Sequence, residues 1–226
     1  MAYYNEGQGF MANVPTVTKN LIITNVIMFV ATLFGEDFMV GTFAMFFPAS
    51  PYFRWWQILT HMFMHGGFWH IFFNMYTLFI FGTALERTIG SKKFLVYYFI
   101  TGLGAVALHT GVEYLQAMSY ASAGNTAALH NLYLTPTLGA SGAIYGVLIG
   151  YAMMYPDSVL TLIFPPVSLK AKWFVLIFAG IELLTGVTGT ADGVAHFAHL
   201  GGMLIGWLLM LYWKKTHKIW DRDSWI

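Results

Sequence analysis

The chain has 226 residues, of which 58% are hydrophobic and only 9% charged, with a formal net charge of +1 and no cysteine. Soluble domains carry about 25% charged residues, so this chain lacks the polar side chains to cover a water-facing surface and reads as an integral membrane protein. The near-neutral balance gives no footing for nucleic-acid binding, and the absence of cysteine excludes disulfides and a thiol nucleophile.

Residues 1–15 are polar and mixed. The first apolar run starts near Leu21 without the pattern of a cleavable leader, so the first helix is expected to stay as an anchor. A membrane helix needs about 20 mostly apolar residues, and six candidates follow in order. They run from about Asn20 to Phe34, Phe68 to Leu85, Phe94 to about Gly111, Leu138 to Tyr155, Trp173 to Val187 and Val194 to Trp213. The long connection 35–67 is aromatic and broken by Pro48 and Pro51, which suits a segment lying in the headgroup zone. No repeat or low-complexity tract is visible, and the polar ends 1–15 and 214–226 are too short to fold alone. The expectation is one all-α polytopic membrane helix bundle of six transmembrane helices, a single domain over 1–226.

Alternating the six spans sorts the basic residues. With the N-terminus inside, Lys19, Arg87, Lys92, Lys93, Lys170, Lys172, Lys214, Lys215, Lys218 and Arg222 lie on the inner side, and of the chain's basic residues only Arg54 lies outside. That is the pattern of the positive-inside rule. It predicts a multi-pass protein of a bacterial cell (inner) membrane with cytoplasmic N- and C-termini.

Polar groups inside a bilayer are costly and point to function. Helices two, four and six enter from the outer side and carry His70 and Asn74, then Ser141, then His196 and His199 near their outer ends. At about 1.5 Å rise per residue these side chains lie roughly 5–15 Å below the boundary. His70 and Asn74 share one helical face, as do Ser141 and Tyr145. Gly142, Gly146 and Gly150 form a small-residue stripe on helix four, and Gly202 and Gly206 another on helix six. Such stripes let backbones approach closely, which would bring Ser141 against His199. A serine beside a histidine is an activated nucleophile. His70, the Asn74 amide and the Ser141 backbone N–H are candidate oxyanion donors, with Gly139 and Gly142 freeing the backbone around the serine. Asp192 falls in the loop before helix six and Asp157 on the inner side, so no aspartate is placed to orient the histidine and a Ser–His dyad is expected. Tyr145, one turn below Ser141, is suited to stack on the His199 ring.

These residues resemble the rhomboid family of intramembrane serine proteases over helices two to six. "GASGAIYG" resembles the family's GxSG nucleophile motif with its tyrosine, giving Ser141 and Tyr145. "AHFAHLGGMLIG" resembles the helix-six motif; His199 has glycines at +3 and +7, whereas His196 would have His199 and Met203 there, so His199 is taken as the base and His196 as support or packing. "HMFMHGGFWHIFFNM" resembles the second helix and gives His70 and Asn74 as oxyanion partners, with His61 and His65 structural. "ALERTIGSKKF" resembles the turn after it, with Glu86 and Arg87. The first loop departs from the family's Trp-Arg pair, reading Trp56-Gln57 with Arg54 shifted. The resemblance implies a rhomboid-like fold and cleavage of transmembrane or juxtamembrane segments of membrane protein substrates, without metal or cofactor.

Three rivals stand beside this reading. An inactive rhomboid-like protein that binds membrane clients would typically lack the serine or the histidine. A metal or haem site could draw on His61, His65, His70, His196 and His199, yet no HExxH is present, no carboxylate accompanies the cluster, and Ser141 and Asn74 would have no role. An aspartyl protease needs two intramembrane aspartates, and no span contains one. His109 and Glu182, both in apolar runs, receive no role from the sequence.

Overall fold

A computed structural model describes residues 12–161, 166–188 and 195–216. Its elements are α1 (Thr16–Phe34), α2 (Glu36–Phe43), α3 (Gln57–Thr60), α4 (Phe68–Thr77), α5 (Thr83–Ile89), α6 (Ser91–Ser122), α7 (Thr126–Leu134), α8 (Ser141–Met154), β1 (Val159–Thr161), β2 (Ser168–Lys170), α9 (Ala171–Thr188) and α10 (His196–Lys215). A π-helical turn, Leu78–Gly82, joins α4 to α5, so Phe68–Ile89 runs as one span. Such turns are rare and disturb the regular ladder. Among the described residues four helices are long and apolar enough to cross a membrane: Thr16–Phe34, Phe68–Ile89, Ser91–Ser122 and Ala171–Thr188. With the shorter apolar α8 and the 20-residue α10 they form one helical bundle.

The centre of the bundle is α8, enclosed by α6, α10 and the α4–α5 span. Its packing follows from the glycines. A Cβ on Gly202 would overlap the Gly142 carbonyl oxygen, and one on Gly206 would reach the Tyr97 hydroxyl at 2.6 Å. On the other side of α8, a Cβ on Gly142 would meet Ala105 of α6 at 2.5 Å. The Gly202–Gly206 stripe thus brings α10 onto the backbone of α8, as small-xxx-small sequences allow, whereas the Gly142–Gly146–Gly150 stripe receives Ala105, Thr101 and Tyr97 of α6. Below them Leu78, Leu85, Phe94, Tyr97, Val147 and Met210 form the main buried core. α1 and α9 sit outside this centre. Leu33 is 68% exposed on α1, and Leu184 65% and Val187 71% on α9, as befits faces turned to lipid.

Charge and polar groups tie the end of the bundle opposite Ser141. The buried Glu86 carboxylate accepts hydrogen bonds from the backbone N–H groups of Val17 and Thr18 (3.0 and 2.7 Å), the Thr18 hydroxyl (2.8 Å) and the Ser91 hydroxyl (2.7 Å). It therefore caps the first turn of α1, where unpaired N–H groups and the helix dipole favour an anion. Arg87 donates to the Asn13 carbonyl (2.6 Å). Gly90, at φ +82°, makes the break that lets α6 start directly after α5. Lys170 and Lys172 both reach Asp157 (3.0 and 2.9 Å) beside the short β1–β2 hairpin, in which Leu160 pairs with Leu169.

The structure departs from the sequence expectation in three places. The third helix does not stop near Gly111 but continues to Ser122, giving 32 residues and a length of about 48 Å, well beyond the ~30 Å hydrocarbon core. Its extension and α7 hold the interfacial connection: Phe47 packs between Tyr114 (4.7 Å) and Tyr133 (5.6 Å), and Ser50 donates to the Tyr133 carbonyl (2.7 Å). The connection 35–67 itself contains two short helices, α2 and α3. Finally, the fourth helix starts at Ser141, not Leu138. Gly139 has φ +133°, a conformation that L side chains rarely adopt, so the helix cannot begin earlier. The expected start of the sixth helix at Val194 lies outside the described residues, within which α10 opens at His196.

Candidate active site

Ser141 is the first residue of α8, and the chain before it is clamped at two points. Met45 and Thr137 exchange backbone hydrogen bonds (2.9 and 2.7 Å), and Gly139 N–H donates to the His61 carbonyl (3.0 Å). The interfacial connection is thus a jig for the serine. Its own hub is the buried Gln57, whose amide oxygen accepts from Arg54 N–H (2.9 Å) and whose amide nitrogen donates to the Tyr52 carbonyl (3.2 Å). Trp56 donates to the Thr42 carbonyl (2.8 Å), and the Arg54 guanidinium bonds Pro51 and Phe53 carbonyls (2.9 and 2.7 Å). The Trp56-Gln57 departure therefore places a neutral side chain whose donor and acceptor both close the loop on itself.

The His199 Nε2 atom lies 2.8 Å from the Ser141 hydroxyl oxygen. Tyr145 stacks on the His199 ring with centroids 4.2 Å apart and planes 8° from parallel. His70 sits across from the serine: a Cβ on Gly139 would come within 3.0 Å of its ring and 3.5 Å of the Ser141 hydroxyl oxygen. Its Nδ1 faces Gly66 N–H at 3.4 Å. Asn74, one turn further along α4, is buried, and its amide makes no hydrogen bond with the described residues. Both line a cavity of about 1260 Å³ that also includes Ser141 and His199. The Ser141 and Gly142 N–H groups stand at the start of α8, where a helix leaves its donors unpaired.

His196 does not reach the serine. Its Nδ1 lies 2.6 Å from Glu182 Oε2 on α9 and 3.1 Å from the Thr185 hydroxyl. The other oxygen of Glu182 accepts the Tyr145 hydroxyl proton (2.5 Å) and lies 3.0 Å from His199 Nδ1, a close approach somewhat off the ideal hydrogen-bond line. Glu182 is the residue that sequence reasoning left without a role. Its signal was present, since a lone carboxylate in an apolar helix demands a partner, but periodicity could not say which one. Asp157 bonds lysines at the opposite end, and Asp192 lies outside the described residues. A carboxylate does accompany two of the histidines, contrary to the sequence expectation, because the fold packs α9 against α10: Glu182, His196 and His199 each offer an atom within 4.8 Å of the others, close enough to hold a metal ion. The atoms concerned already contact one another and Tyr145.

The remaining histidines lie apart from the serine–histidine pair. His61 contacts the Gln57 carbonyl through Nδ1 (3.0 Å), and burial pushes its pKa down to about 4, so it stays neutral. His65 is buried edge-on to the His70 ring at 4.9 Å, with neither ring nitrogen hydrogen-bonded among the described residues. His109 on α6 bonds the Thr137 hydroxyl (2.9 Å) and approaches Glu113 (3.5 Å) along another wall of the cavity.

Comparison with known proteins identifies the family. The Rhomboid domain family model matches residues 52–215. The chain is 30% identical over 173 residues to rhomboid protease AarA of Providencia stuartii, covering 73% of this chain and 58% of that protein. It is 29% identical over 208 residues to the mitochondrial RHOMBOID-like protein 12 of Arabidopsis thaliana, covering 89% and 59%. To the putative rhomboid protease YdcA of Bacillus subtilis it is 27% identical over 158 residues, covering 69% and 67%. The chain thus spans a little under three-fifths of the length of the first two relatives. With the domain match extending over more than half of its residues, the chain belongs to the rhomboid family.

Proposed function

We propose that this protein is an intramembrane serine endopeptidase that cleaves transmembrane or juxtamembrane segments of membrane proteins through a Ser141–His199 dyad. The observation that carries the reading is the 2.8 Å contact between His199 Nε2 and the Ser141 hydroxyl oxygen beside a cavity of about 1260 Å³. In this reading His199 Nε2 takes the Ser141 proton as the oxygen attacks a substrate carbonyl carbon. The C–N bond then breaks, and the same nitrogen returns the proton to the leaving amine. Water, activated in turn by His199, hydrolyses the acyl-enzyme. His70, the Asn74 amide and the Ser141 N–H are the donors for the oxyanion, with Gly139 and Gly142 leaving room for it. Tyr145 holds the imidazole plane by stacking.

The substrate approaches from the bilayer as a helix, whose carbonyls are engaged in its own backbone bonds, and unwinds locally to reach the serine. The basic residues gathered at the opposite end support an orientation with both termini cytoplasmic in a bacterial inner membrane, the chain forming a single domain. The rival reading is an inactive client-binding member of the same family.

The test is fluorophosphonate labelling together with cleavage of a single-span model substrate. Wild-type protein should do both, and Ser141→Ala neither, with its melting temperature nearly unchanged. Cleavage by Ser141→Ala at the wild-type rate would overturn the protease reading. A wild-type chain that binds the substrate intact and takes no label would favour the client-binding alternative.

A further inference from the structure

We infer that Glu182 is a positioning residue for the base: its carboxylate fixes His199 in the tautomer and rotation that catalysis needs, extending the dyad to Ser141–His199–Glu182. This rests on the protease reading above and concerns the same site.

The argument begins with where Glu182 is. It lies on α9, a helix otherwise turned largely to lipid, yet it is buried. A carboxylate placed inside an apolar span is held there only by donors that compensate for its lost hydration. Two hydrogen bonds and one close ion-pair approach converge on it. The Tyr145 hydroxyl donates to Oε1 (2.5 Å), His199 Nδ1 stands 3.0 Å from the same oxygen, and His196 Nδ1 lies 2.6 Å from Oε2. These come from α8 and α10, so the carboxylate joins the two helices that carry the nucleophile and the base.

The proton bookkeeping then follows from the chemistry of the groups. An ionised carboxylate only accepts hydrogen bonds, so the imidazole nitrogen facing it carries the hydrogen. With Nδ1 protonated toward Glu182, the neutral His199 ring presents its Nε2 lone pair to the Ser141 hydroxyl, 2.8 Å away. That is the tautomer a general base requires; the opposite one would put an N–H against the hydroxyl and leave nothing to take its proton. When Nε2 receives the serine proton, the ring becomes an imidazolium whose Nδ1–H still faces Glu182. The carboxylate stabilises that cation without taking a proton, and Nε2 passes its proton to the leaving amine.

The division of labour with Tyr145 is geometric. Stacking at 4.2 Å fixes the plane of the ring but not which nitrogen faces the serine. Glu182 fixes the second variable. Tyr145 is bonded to the same carboxylate, so ring plane and ring rotation are set by one connected unit. His196 occupies the other oxygen and keeps the carboxylate from turning away. This gives His196 a place in the site although it does not touch the serine.

The experiment measures kcat and KM separately for Glu182→Gln, Glu182→Asp and Ser141→Ala in detergent, with melting temperatures and fluorophosphonate labelling rates. Glu182→Gln keeps the shape, loses the charge and can offer His199 a donor in place of an acceptor. Its kcat should fall on the order of 10²-fold, less than the ~10⁴ seen when a triad carboxylate becomes an amide, because Tyr145 still holds the ring plane. KM should change less than about twofold, and labelling should slow in parallel with kcat. Glu182→Asp should recover part of the lost kcat, which a purely structural role would not give. If Ser141→Ala is dead and Glu182→Gln turns over like wild type, the inference about Glu182 falls and the protease reading stands. If Ser141→Ala is fully active, both fall. A Glu182→Gln loss that appears only as lowered melting temperature, with kcat intact in the folded fraction, would also overturn it. So would activity abolished by 1,10-phenanthroline and restored by zinc, since Glu182 would then be a ligand.

Discussion

The α8–α10 interface and the α9–α10 interface solve opposite problems within one bundle. At α8–α10 the backbones touch: Gly202 faces Gly142 so closely that no side chain fits between them. At α9 the packing is sparser. Ala171 and Val175 are buried near its start, Glu182 is buried near its other end, and Leu176, Leu184 and Val187 are exposed. The first interface sets Ser141 against His199 by excluding everything else. The second leaves a helix largely turned to lipid and ties it to the site through the Glu182 carboxylate, with the Thr185 hydroxyl beside it on His196. Precision in this fold therefore comes from backbone contact in one place and from a charge-assisted hydrogen-bond cluster in another, and the two should fail differently.

The largest effect is expected at the tight interface. Gly202→Leu must displace the Gly142 backbone. It should cost more than the ~1–3 kcal/mol of ordinary overpacking and separate Ser141 from His199. Melting temperature and fluorophosphonate labelling should fall together. A variant that keeps its stability and labels normally would show that close approach is not what aligns the pair.

A smaller, purely kinetic effect is expected at the cavity wall. Asn74→Ala should lower kcat on the order of 10²–10³-fold, the usual cost of one oxyanion donor, and leave the melting temperature within about 1 °C given that its buried amide has no hydrogen-bond partner among the described residues to lose. His70→Ala should behave alike. Unchanged kinetics in either variant would remove that residue from the oxyanion site.

The smallest effect is expected on the lipid face of α9. Leu184→Ala, at a position 65% exposed, should change stability by no more than about 0.5 kcal/mol and leave turnover as it was. A large loss there would mean that the lipid-facing side of α9 is covered by something in the working protein, and the contrast between the two interfaces would have to be redrawn.

The family match confirms the class of protein that the composition and motifs implied, and much of the bundle follows from one-dimensional rules. Hydropathy located the long helices because a lipid-spanning segment must be apolar along its whole length. The basic residues sorted to one end because charge crosses a bilayer at high cost. The glycine stripes pointed to α8 and α10 as partners, since absent side chains are visible in the sequence wherever they recur every fourth residue. Glycine at 139 was legible as freedom for the backbone beside Ser141, and the φ of +133° that uses this freedom appears only in the structure.

What the sequence could not decide was every relation between residues far apart that leaves no period behind. The stretch of α6 beyond Gly111 is seated by Phe47 packing between Tyr114 and Tyr133, a contact between separate segments that hydropathy does not register. The role of Gln57 rests on loop carbonyls brought around it by the fold. Glu182 is the clearest case. A lone carboxylate in an apolar run calls for a partner without naming one, and only the crossing of α9 with α8 and α10 sets its two oxygens against Tyr145, His196 and His199. Helices and spans were determined by the sequence because lipid acts on each segment independently. The carboxylate's partners were decided by tertiary structure because a hydrogen bond needs positions within about 3 Å, and those are fixed only after the helices have packed.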